Sequence, residues 1–198
     1  MSSQSSIEVF SERVDPRIPY RSAATLADEP LGLTCSMTAA RQWAQEHRTT
    51  RILNGYPSFE RAAESVRAGQ DEVFIVPSAY SKIDTFFFDR DFRALDSILS
   101  QLPDMVLASA DCRESEEIHI LYHHPATEHL LRLLAPVEPL AQAVSSNSMA
   151  ARLARKSDRP SAAITNRLCA DSYRLQVLKS LATGVMMNFV VFGRRDPE

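Results

Sequence analysis

The sequence predicts an α/β protein built as two lobes with a ligand cleft between them. Short apolar runs, most of them stopped by Gly, Pro or a small polar residue, alternate with stretches of helical period. This alternation occurs once over residues 31–77 and again over residues 104–173, with no repetition of sequence. That is the pattern of two strand–helix units, each with a mostly parallel sheet. The last observation is the end of the chain. Val190-Val191-Phe192, closed by Gly193, reads as a buried strand that must pair with strands made much earlier. Met187 and Asn188 enter that strand, so they stand where early and late parts of the chain meet.

Residues 1–28 carry Ser, Pro and Arg without clear period and are expected to form an arm or tail, with Ile7-Glu8-Val9-Phe10 as a short edge strand. The first lobe is expected over residues 29–102. Leu31-Gly32-Leu33 is read as its first strand, followed by the turn Thr34-Cys35-Ser36 and a helix over residues 37–47 with Ala39, Ala40, Trp43 and Ala44 on one side. Arg51-Ile52-Leu53 is a second strand. A second helix begins at Ser58 and stops at Gly69, and Val73-Phe74-Ile75-Val76 is a strand ended by Pro77. Phe86-Phe87-Phe88 reads as core, and residues 93–102 receive no element. The second lobe is expected over residues 103–198, with the closing strand at the hinge. Its strands fall at residues 104–110, 118–122, 143–144 and 162–164, and its helices at residues 126–134, 149–156 and 167–173.

With 198 residues, 44% hydrophobic and 24% charged, the chain can bury a sizeable core. A net charge of -3 gives no general reason to expect nucleic acid or an acidic membrane surface. Cys35, Cys112 and Cys169 are odd in number and widely spaced, which reads as free thiols in a reducing compartment. Neither a signal peptide nor a membrane span is expected, and the reading is cytoplasmic.

Several apolar strands end in small hydroxyl or amide residues with a helix behind them: Thr34-Cys35-Ser36, Ser145-Ser146-Asn147-Ser148 and Thr165-Asn166. Such turns present backbone N–H groups at helix N-termini, which hold anions. The competing role is plain helix capping. Three such turns at strand ends in one small protein point to a cleft for an anionic small molecule. His123, His124 and His129 lack further ligands at recognisable spacing, so no metal and no cofactor is expected. His124, before Pro125 at a strand end, is expected to line the cleft or to satisfy local backbone. There is no Gly-rich phosphate loop, no G-x-S-x-G and no C-x-x-C.

In order and spacing these turns resemble the prephenate dehydratases. Thr34-Cys35-Ser36, Val76-Pro77-Ser78-Ala79-Tyr80-Ser81, His123-His124-Pro125, Ser146-Asn147-Ser148-Met149-Ala150-Ala151, Ala163-Ile164-Thr165-Asn166 and Met187-Asn188-Phe189 follow that family's motifs over about residues 30–194. The resemblance implies a two-lobed fold like type II periplasmic binding proteins, with the active site in the interlobe cleft. That family's C-terminal regulatory domain has no counterpart before Glu198, so feedback control by phenylalanine is not expected. Met187 and Asn188 stand where the family has its catalytic threonine and a substrate-gripping arginine. Ala79 and Tyr80 stand for its Glu-Asn pair.

A narrower similarity is to the non-aromatising prephenate decarboxylases of bacilysin-type antibiotic pathways. These also carry Val-Pro-x-Ala-Tyr, a Met for the catalytic Thr, and an Asn after the Thr of Ala-Leu-Thr-Asn. The sequence departs from that pattern at Leu33, His123 and Asn147. The resemblance implies catalytic roles for Tyr80, His124, Met187 and Asn188. It implies substrate contacts from Thr34, Ser36, Ser78, Ala79, Ser146, Asn147, Ser148, Thr165, Asn166 and Phe189. The expected reaction is loss of CO2 from prephenate with the ring hydroxyl retained, because Met187 cannot donate the proton that expels it. The source of the ring proton is left open between Tyr80, His124 and the substrate itself. Two other readings stand beside this one: a related dehydratase or isomerase acting on a shikimate-derived ring acid, and a binding module without chemistry. The partner expected is a small anionic substrate, with no nucleic acid and no membrane. A homodimer is compatible with the reading.

Overall fold

The structure, a computed structural model, describes residues 20–47, 50–136 and 138–195. The edge strand expected at residues 7–10 lies outside them.

The chain forms two five-stranded mixed sheets. The first contains β1 (Ser22–Leu26), β2 (Ile52–Tyr56), β3 (Val73–Pro77), β4 (Phe92–Gln101) and β10 (Met186–Arg194), in the order β2-β1-β3-β10-β4. Helix α1 (Cys35–His47) covers one face, and α2 (Phe59–Arg67) with the short α3 (Ile83–Phe87) covers the other. The second contains β5 (Met105–Ser109), β6 (Ile120–His123), β7 (Leu140–Ala143), β8 (Ser161–Asn166) and β9 (Gln176–Ala182), in the order β7-β6-β8-β5-β9. Helices α4 (Asn147–Lys156) and α5 (Arg167–Ser172) pack on one face. A run of 3-10 turns, Pro125–Leu134, packs on the other, where a regular helix was expected.

Strand β10 alternates cleanly. Phe189 and Val191 enter the core under α1, while Val190 and Phe192 enter the core under α2. All four are buried because helices cover both faces. The strand runs antiparallel to both neighbours, pairing Val190 with Val76 of β3 and with Ser97 of β4. Phe192 stacks on Phe74 at 5.2 Å between centroids, so the last strand and the third share one aromatic core.

Two expectations about the first lobe are corrected. The strand before α1 is Ser22–Leu26, not Leu31-Gly32-Leu33. The latter forms a turn in which Gly32 has a φ of +60° and Leu31 stands 59% exposed. Consequently residues 22–26, assigned to the N-terminal arm, are a strand of the first sheet, hydrogen-bonded to both β2 and β3. Residues 92–101, mostly left without an element, form the longest strand of the first sheet and pair with the whole of β10.

The chain passes between the sheets twice, at residues 102–104 and again at residues 183–185. The passages run side by side, since Leu102 N–H donates to the Val185 carbonyl at 2.8 Å. The strand directions fix which ends face each other. The C-terminal ends of β1 and β3 lie beside the start of β10. In the second sheet the C-terminal ends of β6, β7 and β8 share one edge with the start of β5, where Met105 pairs with Asn166. These edges carry the loops that meet between the lobes.

Candidate functional site

The loop at residues 27–34, between β1 and α1, reaches across to the second lobe. Its local shape is set by its own polar groups. The Glu29 carboxylate accepts from the backbone N–H of Leu31 at 2.6 Å and from that of Leu33. Arg41 of α1 donates to the carbonyls of Gly32 and Leu31 at 2.8 and 3.1 Å. Thr34 caps α1 by accepting from Met37 N–H at 3.1 Å, and its hydroxyl donates to the Leu26 carbonyl at 2.6 Å. Behind the loop a cavity of about 270 Å3 is lined by Ala27, Glu29, Met37, Arg41, Leu53 and Gly55.

Held in this way, the loop delivers two groups to the other lobe. One is the Asp28 carboxylate. Its Oδ2 accepts from the hydroxyls of Ser146 and Ser145 at 2.6 and 3.1 Å. The other is the Leu33 carbonyl, which accepts from the Asn166 amide at 2.8 Å and lies 3.6 Å from the Cys169 sulfur. The Cys35 sulfur lies 3.9 Å from the amide nitrogens of both Asn147 and Asn166. Burial pushes the Cys35 thiol up, and it pushes the Cys169 thiol up to about 11. Both are therefore protonated near neutrality and are packing groups, not nucleophiles.

On the second lobe, Ser146 is the N-cap of α4, accepting from Met149 N–H at 2.9 Å. Asn166 is the N-cap of α5, accepting from Cys169 N–H at 2.9 Å. Thr165 donates to the Asn147 carbonyl at 2.8 Å and ties the start of α4 to β8. Ser148 is buried with its hydroxyl 3.4 Å from the Cys169 sulfur. The α4 N-terminus already holds a carboxylate, that of Asp28, which the macrodipole and the two hydroxyls favour there.

His124 ends this edge. Its Nδ1 accepts from Ala126 N–H at 3.2 Å, which leaves the ring proton on Nε2. Burial pushes its pKa below the ordinary histidine value, the neighbouring His123 adds to that, and the Asp28 carboxylate opposes it. Because the folded pKa is depressed, the unfolded chain takes up the proton first as pH falls. This contribution to stability is therefore complete above about pH 6.5 and declines as pH drops through that value. His124→Asn, which keeps a capping acceptor without the titration, is expected to flatten the pH dependence of denaturation midpoints between about pH 7.5 and 5.

On the first lobe, Met187 is half-buried against the core under α1, as are Ala27, Cys35 and Val185. Beyond Phe189, which pairs with Pro77, strand β3 has ended. Met187 thus lies at the open end of the sheet, paired with Ser100 alone. Asn188 points to the other face and is exposed, and its carbonyl accepts from Ser78 N–H at 2.9 Å. Ser78 and Ala79 are exposed beside it.

The fourteen residues nominated from the sequence therefore separate. His124, Ser146, Asn147, Thr165 and Asn166 share the second-lobe edge, with Ser148 buried behind them; Thr34, Ser36 and Met187 lie on the facing side of the first lobe. Phe189 is fully buried in the core and Ser36 is buried at the start of α1. Tyr80 is not brought to this group. Its hydroxyl donates to Glu60 Oε1 at 2.5 Å, and its ring packs on Phe59 at 4.8 Å, in the core under α2. Burial and the Glu60 carboxylate both hold that phenol well above its usual range. Sequence reasoning missed Asp28, because it stood at the end of the supposed arm.

No protein-family profile matches the chain, and no curated protein does. Solved structures do. The prephenate dehydratase of Arthrobacter aurescens, solved in complex with L-Phe, is 21% identical with a TM-score of 0.68, over 89% of this chain and 61% of that one. The prephenate dehydratase of Staphylococcus aureus subsp. aureus Mu50 is 15% identical with a TM-score of 0.57, over 87% and 66%. The periplasmic VFT2 domain of Bordetella pertussis BvgS is 14% identical with a TM-score of 0.57, over 94% and 86%. The chain thus spans about two thirds or less of the two dehydratases and most of the VFT2 domain. The likeness establishes the two-lobed α/β fold common to these proteins. Among the described residues no helix is long and apolar enough to cross a membrane.

Proposed function

We propose that the protein decarboxylates prephenate without aromatising it, giving a dihydro-4-hydroxyphenylpyruvate for secondary-metabolite biosynthesis of the antibiotic kind. The coarser part of this reading, a cleft protein for a small ring acid, is supported by the fold it has in common with two prephenate dehydratases. The finer part rests on one observation. The side chain at the open end of β10, where the family resemblance implies a catalytic threonine, is the half-buried thioether of Met187.

Prephenate carries a carboxylate and a pyruvyl arm on a quaternary ring carbon, with a hydroxyl across the ring. When the bond to the ring carboxylate breaks, CO2 departs and the electron pair enters the diene. Two outcomes compete. Protonation of the hydroxyl expels water and gives an aromatic ring. Protonation of a ring carbon keeps the hydroxyl and balances the reaction with one proton taken up. A thioether donates no proton, so Met187 favours the second outcome. Its apolar surface also favours a transition state in which the carboxylate charge is dispersing. The first-turn N–H groups of α1, at Cys35 and Ser36, suit the pyruvyl carboxylate. The corresponding end of α4 is already occupied by Asp28. His124, neutral and protonated on Nε2, is assigned the ring proton, since the Tyr80 hydroxyl is engaged by Glu60.

The deciding experiment is incubation of purified protein with prephenate, followed by NMR of the product and measurement of CO2. The expected result is prephenate loss, CO2 release and a non-aromatic hydroxylated keto acid. Phenylpyruvate as the main product would instead establish a dehydratase. Binding without turnover would establish the module reading, which the likeness to the VFT2 domain favours.

A further inference from the structure

We infer that Asp28 and Asn147 form the seat for the ring hydroxyl of the substrate, holding it as a hydrogen-bond donor. The inference rests on the reading of the ligand as prephenate. It begins from two atoms. Among the described residues, Asp28 Oδ1 and Asn147 Oδ1 are buried side-chain atoms without a hydrogen-bond partner. Both lie at the junction of the lobes, one on each side of it. Asp28 comes from the loop after β1, and Asn147 opens α4 immediately after the Ser146 that grips Asp28.

The carboxylate is fixed by its other oxygen, through the hydroxyls of Ser145 and Ser146. Asn147 is fixed through its backbone carbonyl, which accepts from Thr165, and its amide nitrogen lies by the Cys35 sulfur. What both remaining oxygens lack is a donor. A buried acceptor left without one is costly, and a carboxylate oxygen more so than a neutral one. A ligand brings most to this place if it supplies an O–H. A ligand carboxylate would add a second charge beside Asp28 and leave the two acceptors as they are. Of the groups prephenate carries, the ring hydroxyl alone is a donor.

Expulsion of the hydroxyl requires that its oxygen gain a proton. A seat made of two acceptors binds the hydroxyl hydrogen and supplies none, so the C–O bond is kept while the opposite end of the ring loses CO2. Asp28 and Asn147 thus determine product specificity together with Met187, and no bond at the seat is made or broken. They position the substrate without taking part in proton transfer.

The test compares wild-type protein with Asp28→Asn and Asn147→Ala, using prephenate itself. Asp28→Asn retains an amide oxygen for Ser145 and Ser146 but presents an N–H donor in place of a charged acceptor. The expected result is a KM for prephenate raised about tenfold, as for loss of one charge-assisted hydrogen bond. The product should stay non-aromatic, since an amide N–H transfers no proton to the leaving oxygen, and the melting temperature should be unchanged. Asn147→Ala is expected to raise KM only about twofold, because the single hydroxyl hydrogen is shared between the two oxygens and Asp28 keeps it. Wild-type turnover with unchanged KM in both variants overturns the seat and leaves the reaction standing. A lower melting temperature with unchanged KM marks Asp28 as an interlobe tether only, and overturns it equally. No binding of prephenate by the wild-type protein overturns the functional reading and the seat with it.

Discussion

Phe74→Ala is expected to remove about 3–5 kcal/mol of stability, the range for emptying a large buried aromatic site. Phe74 is completely inaccessible to solvent on β3. Its ring meets Phe92 edge-on at 4.9 Å, meets Phe86 edge-on at 5.2 Å and stacks with Phe192 at 5.2 Å. Each pair adds to simple burial, because the ring quadrupoles favour offset and edge-on geometry. Phe192 lies on β10 and Phe92 on β4, so the deletion opens a cavity between three adjacent strands. Their backbones are held by ladder hydrogen bonds and cannot collapse into it. A typical domain is stable by only about 5–15 kcal/mol, so the variant is expected near the margin of folding. Urea denaturation followed by circular dichroism measures it. A loss under about 2 kcal/mol would mean that Phe86 and Phe87 refill the space.

That aromatic core was legible because its signals are local. Val73-Phe74-Ile75-Val76 and Val190-Val191-Phe192 are continuous apolar runs, which arise where helices cover both faces of a sheet. The caps were legible for the same reason. Ser58, Ser146 and Asn166 each bind a backbone N–H only three residues ahead. Strand β1 was not. Ser22-Ala23-Ala24-Thr25-Leu26 is almost fully buried, but its side chains are small because α1 and α2 press closely on it, and small residues produce little hydropathy contrast. The exposed Leu31 and the half-buried Leu33 nearby gave a stronger apolar signal in a segment that is a turn. Strand β4 was missed because it lies at the sheet edge, with six of its ten residues exposed and no clean period.

The candidate site was legible only in part, and the missing part is non-local. Ser146 was nominated as a holder of a substrate carboxylate. The anion it holds is Asp28, which lies 118 residues earlier. The partner of Asn166, the Leu33 carbonyl, lies 133 residues away. No periodicity carries such a pairing. Tyr80 shows the same limit. Its place in a Val-Pro-x-Ala-Tyr turn said nothing of Glu60, which draws the phenol to the opposite face of the sheet from Met187.

Met187→Thr is expected to bring phenylpyruvate into the product mixture, and Met187→Val is not. Threonine and valine have nearly the same shape and the same preference for a strand, so they disturb β10 equally. They differ in one hydroxyl, which is the group the proposed reaction lacks at this point. A placed proton donor is worth about 10²–10⁴ in the rate of the step it assists, enough to make a minor path visible beside the main one. Asn188 need not change with it. Its side chain lies on the other face of β10, and its carbonyl is bound by Ser78 N–H whatever the side chain is. Shortening Met187 removes part of a half-buried side chain from the core under α1. Both variants should lose a similar stability of about 1 kcal/mol, which cancels in the comparison. The measurement is the ratio of phenylpyruvate to non-aromatic keto acid by chromatography, at equal prephenate consumption. Equal ratios in the two variants would remove Met187 from control of the outcome and leave it to the acceptors at Asp28 and Asn147. A further rise in the ratio when Met187→Thr is combined with Asp28→Asn would show that both act on the same hydroxyl, one by supplying a proton and the other by ceasing to hold it as a donor.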